Sequence, residues 1–215
     1  MNARMIVLIL VVLLAIPAVA PAAESAPLRP HWSLEIKGGY FYPDIDNWKA
    51  FYGDDKTSHF AGSLAYKVVR QVEFGVEGGY IKDRGQAFAP VSAVITGNVV
   101  YEVFPLNIFI LVRGVFSEKQ WVVPYAGGGW TRMYYAEKIE GQATVRGSAD
   151  GFHGRAGLQF LLDDIDPRAA YNLYADYGIH HTYFFSEVQV TDVKVGTPSV
   201  NIGGISYLGG FLFEF

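Results

Sequence analysis

The sequence predicts an all-β fold, a transmembrane antiparallel up-and-down β-barrel of eight strands preceded by a cleavable signal peptide. Three observations carry that prediction. The C-terminus, Tyr207-Leu208-Gly209-Gly210-Phe211-Leu212-Phe213-Glu214-Phe215, alternates aromatic residues and ends on phenylalanine. Successive side chains of a strand point to opposite faces, so Tyr207, Phe211, Phe213 and Phe215 share a face that suits lipid. Ser206, Leu208, Gly210, Leu212 and Glu214 make the other face, small and mixed as a narrow interior requires. At the N-terminus, Arg4 precedes an apolar run from Met5 to Val19 and then Ala20, Ala22 and Ala23, the layout of a secretory signal peptide. Finally, the 215 residues are 51% hydrophobic and 15% aromatic with 24 glycines, yet no later apolar stretch reaches the roughly 20 residues of a membrane helix. A chain this apolar must therefore alternate.

The domain organisation follows: a signal peptide over 1–22, a short periplasmic N-terminal segment over 23–30, and the barrel over 31–215. Ala20 and Ala22 form the small pair a signal peptidase prefers, so cleavage is expected after Ala22 or Ala23. Cysteine is absent. That removes cysteine-linked lipid, disulfides and cysteine metal sites from consideration. The formal charge of −4, without a basic stripe, gives nucleic acid nothing to bind.

Taken in order, the first strand offers Trp32, Leu34, Ile36, Gly38, Tyr40 and Tyr42 to lipid and Ser33, Glu35, Lys37, Gly39 and Phe41 to the lumen. The second offers Phe60, Gly62, Leu64, Tyr66 and Val68 outward, against His59, Ala61, Ser63, Ala65 and Lys67. After a tight turn at Arg70-Gln71, the third sets Val72, Phe74, Val76, Gly78 and Tyr80 outward and Glu73, Gly75, Glu77, Gly79 and Ile81 inward.

Residues 91–116 read as one long fourth strand with a change of phase. Up to Val103 the odd positions are apolar (Val91, Ala93, Ile95, Val99, Tyr101), and after Pro105 the even ones are (Leu106, Ile108, Ile110, Val112, Phe116). A bulge at the proline would flip the faces. The competing reading places a turn at Phe104-Pro105 and makes nine strands unless part of the stretch from Gln142 to Gly147 also pairs, against the even number of single-chain bacterial barrels. In the fifth strand Val123, Tyr125, Gly127, Gly129, Thr131, Met133 and Tyr135 are expected outward, which turns Arg132 inward. The sixth sets Phe152, Gly154, Ala156, Leu158, Phe160 and Leu162 outward and His153, Arg155, Gly157 and Gln159 inward. A polar turn over 163–168 leads to a seventh strand with Tyr171, Leu173, Ala175, Tyr177 and Ile179 outward and Asn172, Tyr174, Asp176, Gly178 and His180 inward. The closing strand begins near Val200.

Links near Arg70, Ser117 and Asp164 are short, and those over 43–57, 83–90, 136–149 and 183–199 are longer. Such barrels keep short turns in the periplasm, so both termini are expected there. From IKGGYFYP in the first strand, through VPYAGGGW, to ISYLGGFLFEF at the end, the order of features resembles the small bacterial outer-membrane barrels grouped around OmpW and OmpX. The terminal signature of Tyr207, Phe211, Phe213 and Phe215 is similar to the one read by the barrel-assembly machinery. The resemblance implies an outer-membrane location, with outer-membrane lipid and lipopolysaccharide as partners and a small-molecule solute as a further candidate.

The expected lumen carries a charge network of Glu35, Glu73, Glu77, Asp176 and Glu214 with Lys37, Lys67, Arg113, Arg132 and Arg155. About eight strands leave an interior that side chains can fill, and isolated buried charges cost several kcal/mol, so these groups must pair or be hydrated. Phe41, Phe109, Leu111 and Val115 also face inward, as core packing or as the lining of an apolar pocket at the outer mouth.

Two functions suit this interior. A narrow channel or binding barrel for small solutes, hydrophobic ones among them, is what the OmpW resemblance implies. A non-conducting envelope protein acting through its extracellular loops is what the OmpX resemblance implies. A lipid A-modifying enzyme ranks last: His180, His181, Thr182, Ser186 and Glu187 cluster at the expected outer end of the seventh strand, but they depart from the His-x-Ser-Asn element of lipid A deacylases. Catalysis is not expected, and no cofactor or metal is. Asp44, Asp46, Asp54 and Asp55 lack the spacing of a calcium loop. In the same loop Trp48, Phe51 and Tyr52 either touch lipopolysaccharide or fold inward as a lid.

Overall fold

The computed structural model describes residues 29–45, 48–88, 95–117, 120–197 and 199–215. The signal peptide expected over 1–22, most of the 23–30 segment, Asp46, Val91 and Ala93 lie outside the described residues. Strands β1 (Trp32–Pro43), β2 (Thr57–Val69), β3 (Val72–Phe88), β4 (Ile95–Arg113), β5 (Val122–Ile139), β6 (Val145–Leu161), β7 (His181–Val195), β8 (Val200–Asn201) and β9 (Gly204–Glu214) follow in order. Helix α1 (Trp48–Tyr52) lies between β1 and β2, and α2 (Pro167–Tyr177) between β6 and β7.

All strands but β8 form one closed antiparallel ring. The seam is β9, which pairs with β1 from Ser33↔Glu214 to Pro43↔Gly204 and with β7 from His181↔Glu214 to Thr191↔Gly204. Closure leaves no strand edge, so hydrocarbon meets no unpaired ladder group. The two-residue β8 only pairs back onto the end of β7. His31 and Phe215, the turn at Arg70-Gln71, Gly114, Trp121 and α2 lie at one end, here called proximal. The distal end carries α1, the turn after β5 and β8.

The outward face is apolar. Ile36, Phe60, Val68, Phe74, Ile110, Phe152 and Phe211 are all exposed, a surface that water would not tolerate and lipid favours. Outward Trp32 and Tyr40 bracket this band on β1. They are about 26 Å apart along the strand, or about 20 Å across a bilayer at a tilt near 40°. Strands β1, β2, β3, β6 and β9 face as their alternation predicts.

Four expectations are corrected. The residues read as a seventh strand form α2: Asp166 caps it by accepting from the N–H groups of Arg168 (3.1 Å) and Ala169 (3.0 Å), Pro167 opens it, and Gly178 closes it at φ 70°. Its tyrosines, Tyr171, Tyr174 and Tyr177, recur every three residues, and at alternate positions Tyr171 and Tyr177 imitate a strand. The seventh strand is His181–Val195, across residues expected to be a loop. In β5 the odd residues face inward: Val123, Tyr125, Thr131 and Met133 are buried. In β4 the odd residues stay inward from Val99 to Arg113, with no change of phase at Pro105; the register shift falls instead between Ala87 and Phe88, opposite Gly97, whose φ is 151°. Proline merely withholds one ladder hydrogen bond there, and the ring closes with eight long strands rather than nine.

Candidate functional site

Inward side chains stack in layers between the two ends. The most proximal layer is an ionic cluster. Arg113, at the end of β4, pairs with Glu73 at 2.8 Å and with Glu214; Lys67 reaches Glu214 at 2.5 Å. Ser33 donates to Glu73 and the Arg113 Nε to Gln159. Two cations thus meet two carboxylates, and the cluster is neutral. An apolar layer follows, including Leu111, Phe185 and Leu212.

The central layer is ionic again. Lys37 lies 2.6 Å from Glu77 and 2.6 Å from Glu187, while Arg155 lies 3.0 Å from Glu35 and 3.0 Å from Glu77. The Arg155 guanidinium also covers the Phe109 ring at 4.0 Å. That ring fits because Gly75 opposes it: a Cβ at Gly75 would meet Phe109 at 2.5 Å. Ser63 donates to Glu35, Tyr125 to Glu187 and Asn107 to Glu77, so the carboxylates gain hydrogen bonds beyond their ion pairs. Such saturation is what a buried charge needs. Next come neutral polar residues: His59 bonds Ser206 at 2.9 Å, and Thr131 joins His153 and Asn107, both at 2.8 Å.

Of the charged residues expected in the lumen, Glu35, Lys37, Lys67, Glu73, Glu77, Arg113, Arg155 and Glu214 are all buried there. Arg132 and Asp176 are not. Arg132 faces outward on β5 and pairs with Asp150 at 2.8 Å, because the phase of that strand is the reverse of the one expected. Asp176 is exposed on α2. Sequence reasoning set Glu187 in the rim cluster with His181 and Ser186 and so missed it as a lumen charge; it sits with Lys37 and Arg155 because β7 occupies residues assigned to a loop. The alternation Tyr183, Phe185, Glu187, Gln189 was the available signal.

The distal layer is apolar, with Phe41, Ile81, Val103, Met133, Val193 and Ile202 buried together. Helix α1 folds inward over it as a lid. Trp48 is buried, stacked on Tyr52 at 3.9 Å and set edge-on to Tyr101 at 5.3 Å. A cavity of about 570 Å³ opens beside these rings, lined also by Tyr135, Val195 and Glu137. Burial, and after it the Glu137 carboxylate, pushes the Tyr52 hydroxyl above its ordinary pKa, so it stays a protonated donor.

Other candidates do not assemble. His181 begins β7 at the proximal end, where its Nδ1 lies 2.7 Å from Asp163; Ser186 points outward. An even and an odd residue of one strand face opposite ways, so these two form no nucleophile–base pair. Asp44 accepts from Asn201 at 2.9 Å and Asp54 from the Asp55 backbone. Among the described residues, no group of histidines and carboxylates gathers as a metal site.

This architecture has known counterparts. A family model described as outer membrane protein beta-barrel domain matches residues 7–204. The crystal structure of Neisserial surface protein A is similar at 10% identity and a TM-score of 0.57, over 86% of this chain and 97% of that one. The outer membrane protein OprG of Pseudomonas aeruginosa is similar at 14% identity and a TM-score of 0.58, over 87% of this chain and 97% of that one. No curated protein matches the chain.

Proposed function

The chain belongs to the family of outer membrane protein beta-barrel domains, and from that premise we propose that it is a closed outer-membrane binding barrel that holds a small apolar or amphipathic molecule at its distal mouth. The observation that carries this reading is the aromatic-roofed cavity of about 570 Å³, set on a floor of packed polar and ionic layers. An apolar concavity with a few placed polar groups is the usual form of a small-molecule site. Among the described residues, the buried Trp48 indole N–H and Tyr101 hydroxyl have no hydrogen-bond partner, which favours an occupant that carries an oxygen acceptor. Below the cavity, Lys37, Arg155 and their carboxylates occupy the lumen, which supports binding over conduction. In this reading both termini are periplasmic, α1 faces the cell exterior, and no hydrolytic step takes place.

Two measurements on the refolded protein test it. N-phenyl-1-naphthylamine, a neutral apolar fluorophore, is expected to bind saturably, and Trp48→Ala with Tyr101→Ala to weaken that binding at least tenfold. Planar bilayers are expected to show no discrete conductance steps. Steps that change in Lys37→Gln or Glu77→Gln would establish a channel instead, and absence of saturable binding would favour a surface protein acting through its loops.

A further inference from the structure

The cavity at the distal mouth carries charge of one sign. Cross-strand register sets Asp83 on β3 directly opposite Tyr101 on β4, and Tyr101 directly opposite Glu137 on β5. Residues paired in this way share a face with their Cβ atoms about 5 Å apart, so two carboxylates flank the inward Tyr101 ring. Glu137 is the one charged side chain among the described residues that line the cavity. It makes neither an ion pair nor a hydrogen bond among the described residues. Asp83 accepts from the backbone N–H of Arg84 at 2.8 Å and makes no ion pair among them. Neighbouring lysines are engaged on the outer surface: Lys82 and Lys138 meet Glu102 at 2.7 Å and 3.8 Å, and Lys56 covers the Tyr40 ring at 4.9 Å.

The walls reinforce that sign. Trp48, Tyr52 and Tyr101 pack with ring centroids 3.9 Å, 5.3 Å and 6.2 Å apart, and Tyr135 stands two residues before Glu137 on the same face of β5. The face of an aromatic ring is the negative part of its quadrupole, so rings and carboxylate both attract a cation. A hydrated metal ion would need several oxygen ligands, which these walls do not supply. An organic cation is weakly hydrated and fits them. The Trp48 indole N–H and the Tyr101 hydroxyl add two buried donors that have no partner among the described residues.

We propose that the cavity takes an organic monocation, a quaternary or protonated amine joined to an apolar chain through an oxygen-bearing group such as an ester. The inference rests on the functional reading above and narrows it to one ligand class. The ammonium lies beside Glu137 and against the tyrosine rings, where it supplies the countercharge that the carboxylate lacks. The oxygen accepts from the Trp48 N–H and the Tyr101 hydroxyl, and the chain lies along Val195, Val200 and Ile202. Asp83 adds a second negative charge at the entrance, which raises the local concentration of cations. A desolvated cation–π contact strengthens binding on the order of tenfold.

The test uses the full mature chain refolded in an uncharged detergent and compares two displacers of bound N-phenyl-1-naphthylamine. One is octanoylcholine; the other is its neutral isostere, in which a tert-butyl group replaces trimethylammonium. Both are compared at free concentrations corrected for partition into micelles. Octanoylcholine is expected to bind the wild-type protein at least tenfold more tightly than the isostere. In the combined variant Glu137→Gln with Asp83→Asn the ratio of the two affinities is expected to fall to within twofold of unity. Glu140→Gln is expected to keep the wild-type ratio, because Glu140 lies outside the cavity and is engaged by Asn98 at 3.0 Å. Equal or tighter binding of the neutral isostere overturns the proposal, as does a ratio that the combined variant leaves unchanged. Heat-modifiable migration shows that each variant is folded; if the combined variant does not fold, the wild-type comparison of the two esters decides. Displacement by both esters alike removes only the preference for a cation, whereas absence of saturable fluorophore binding removes the functional reading and this inference with it, so the two failures are distinguishable.

Discussion

Lys37 and Glu187 are 150 residues apart in the chain and 2.6 Å apart inside the barrel. The lysine also meets Glu77, and Glu187 also accepts from Tyr125, so a single carboxylate ties β1, β5 and β7 together across the lumen. Removing Lys37 would leave the buried carboxylates of Glu35, Glu77 and Glu187 to share Arg155. Lys37→Ala is therefore expected to cost about 3–5 kcal/mol in urea unfolding from phospholipid vesicles. A loss below about 1 kcal/mol would indicate hydrated charges in an open lumen rather than a packed one.

The facing of the strands makes a second prediction. Val76 and Leu158 are exposed to lipid, and their neighbours Glu77 and Gln159 are buried. Val76→Arg or Leu158→Arg should cost about 2–4 kcal/mol if the site lies near the bilayer midplane. Arg132→Ala, in contrast, should cost no more than about 1 kcal/mol in the same assay, because its pair with Asp150 is largely exposed. A large effect at Arg132 would return it to the lumen.

What was legible in the sequence follows from the contrast between the two faces of each strand. In β1, β2, β3, β6 and β9 charged or small residues alternate with aromatic and aliphatic ones, so outside and inside declare themselves. In β5 the glycines at 127–129 carry no contrast, and the inward residues Val123, Tyr125 and Met133 belong to apolar layers of the lumen. An apolar lumen layer is chemically indistinguishable from a lipid face, and the same ambiguity misdirected Val99, Tyr101 and Val103 in β4. For α2 the local signals were present in Asp166, Pro167 and Gly178, but alternate apolar residues outweighed them. Partners within the charge network were not legible, because Arg155 meets Glu35, 120 residues away, only once the ring has closed.

Orientation gives a third prediction. Asp54 and Gln142 lie in distal loops, and Asp166 and Asp176 lie in the proximal link that carries α2. A cysteine at Asp54 or Gln142 is expected to react with an impermeant maleimide on intact cells, and one at Asp166 or Asp176 to react only after the outer membrane is permeabilised. The reverse pattern would invert the topology, moving the aromatic-roofed cavity to the periplasmic side.

The last prediction concerns the seam where the barrel closes. The Phe215 carbonyl accepts from the backbone N–H groups of His31 at 2.6 Å and Trp32 at 3.1 Å, and the Phe215 N–H donates to the Trp32 carbonyl at 2.9 Å. Glu214, next to it, anchors Arg113 and Lys67 inside the lumen. Deleting Phe215 removes three hydrogen bonds at the proximal end of the seam between β1 and β9. Each net backbone hydrogen bond is worth about 1 kcal/mol, so the finished barrel would tolerate the loss more readily than the step that closes it. The truncated chain is expected to be exported normally but to accumulate unassembled, with heat-modifiable protein in the outer membrane reduced at least severalfold. Phe215→Tyr keeps both the aromatic ring and the seam hydrogen bonds and should assemble normally, whereas Phe215→Ala keeps the hydrogen bonds alone. Normal assembly of Phe215→Ala together with failure of the deletion would assign the effect to the backbone seam; failure of both would assign it to the aromatic ring, as expected if the assembly machinery reads that side chain. Normal abundance of the deletion in heat-modifiable form would show that neither matters to closure.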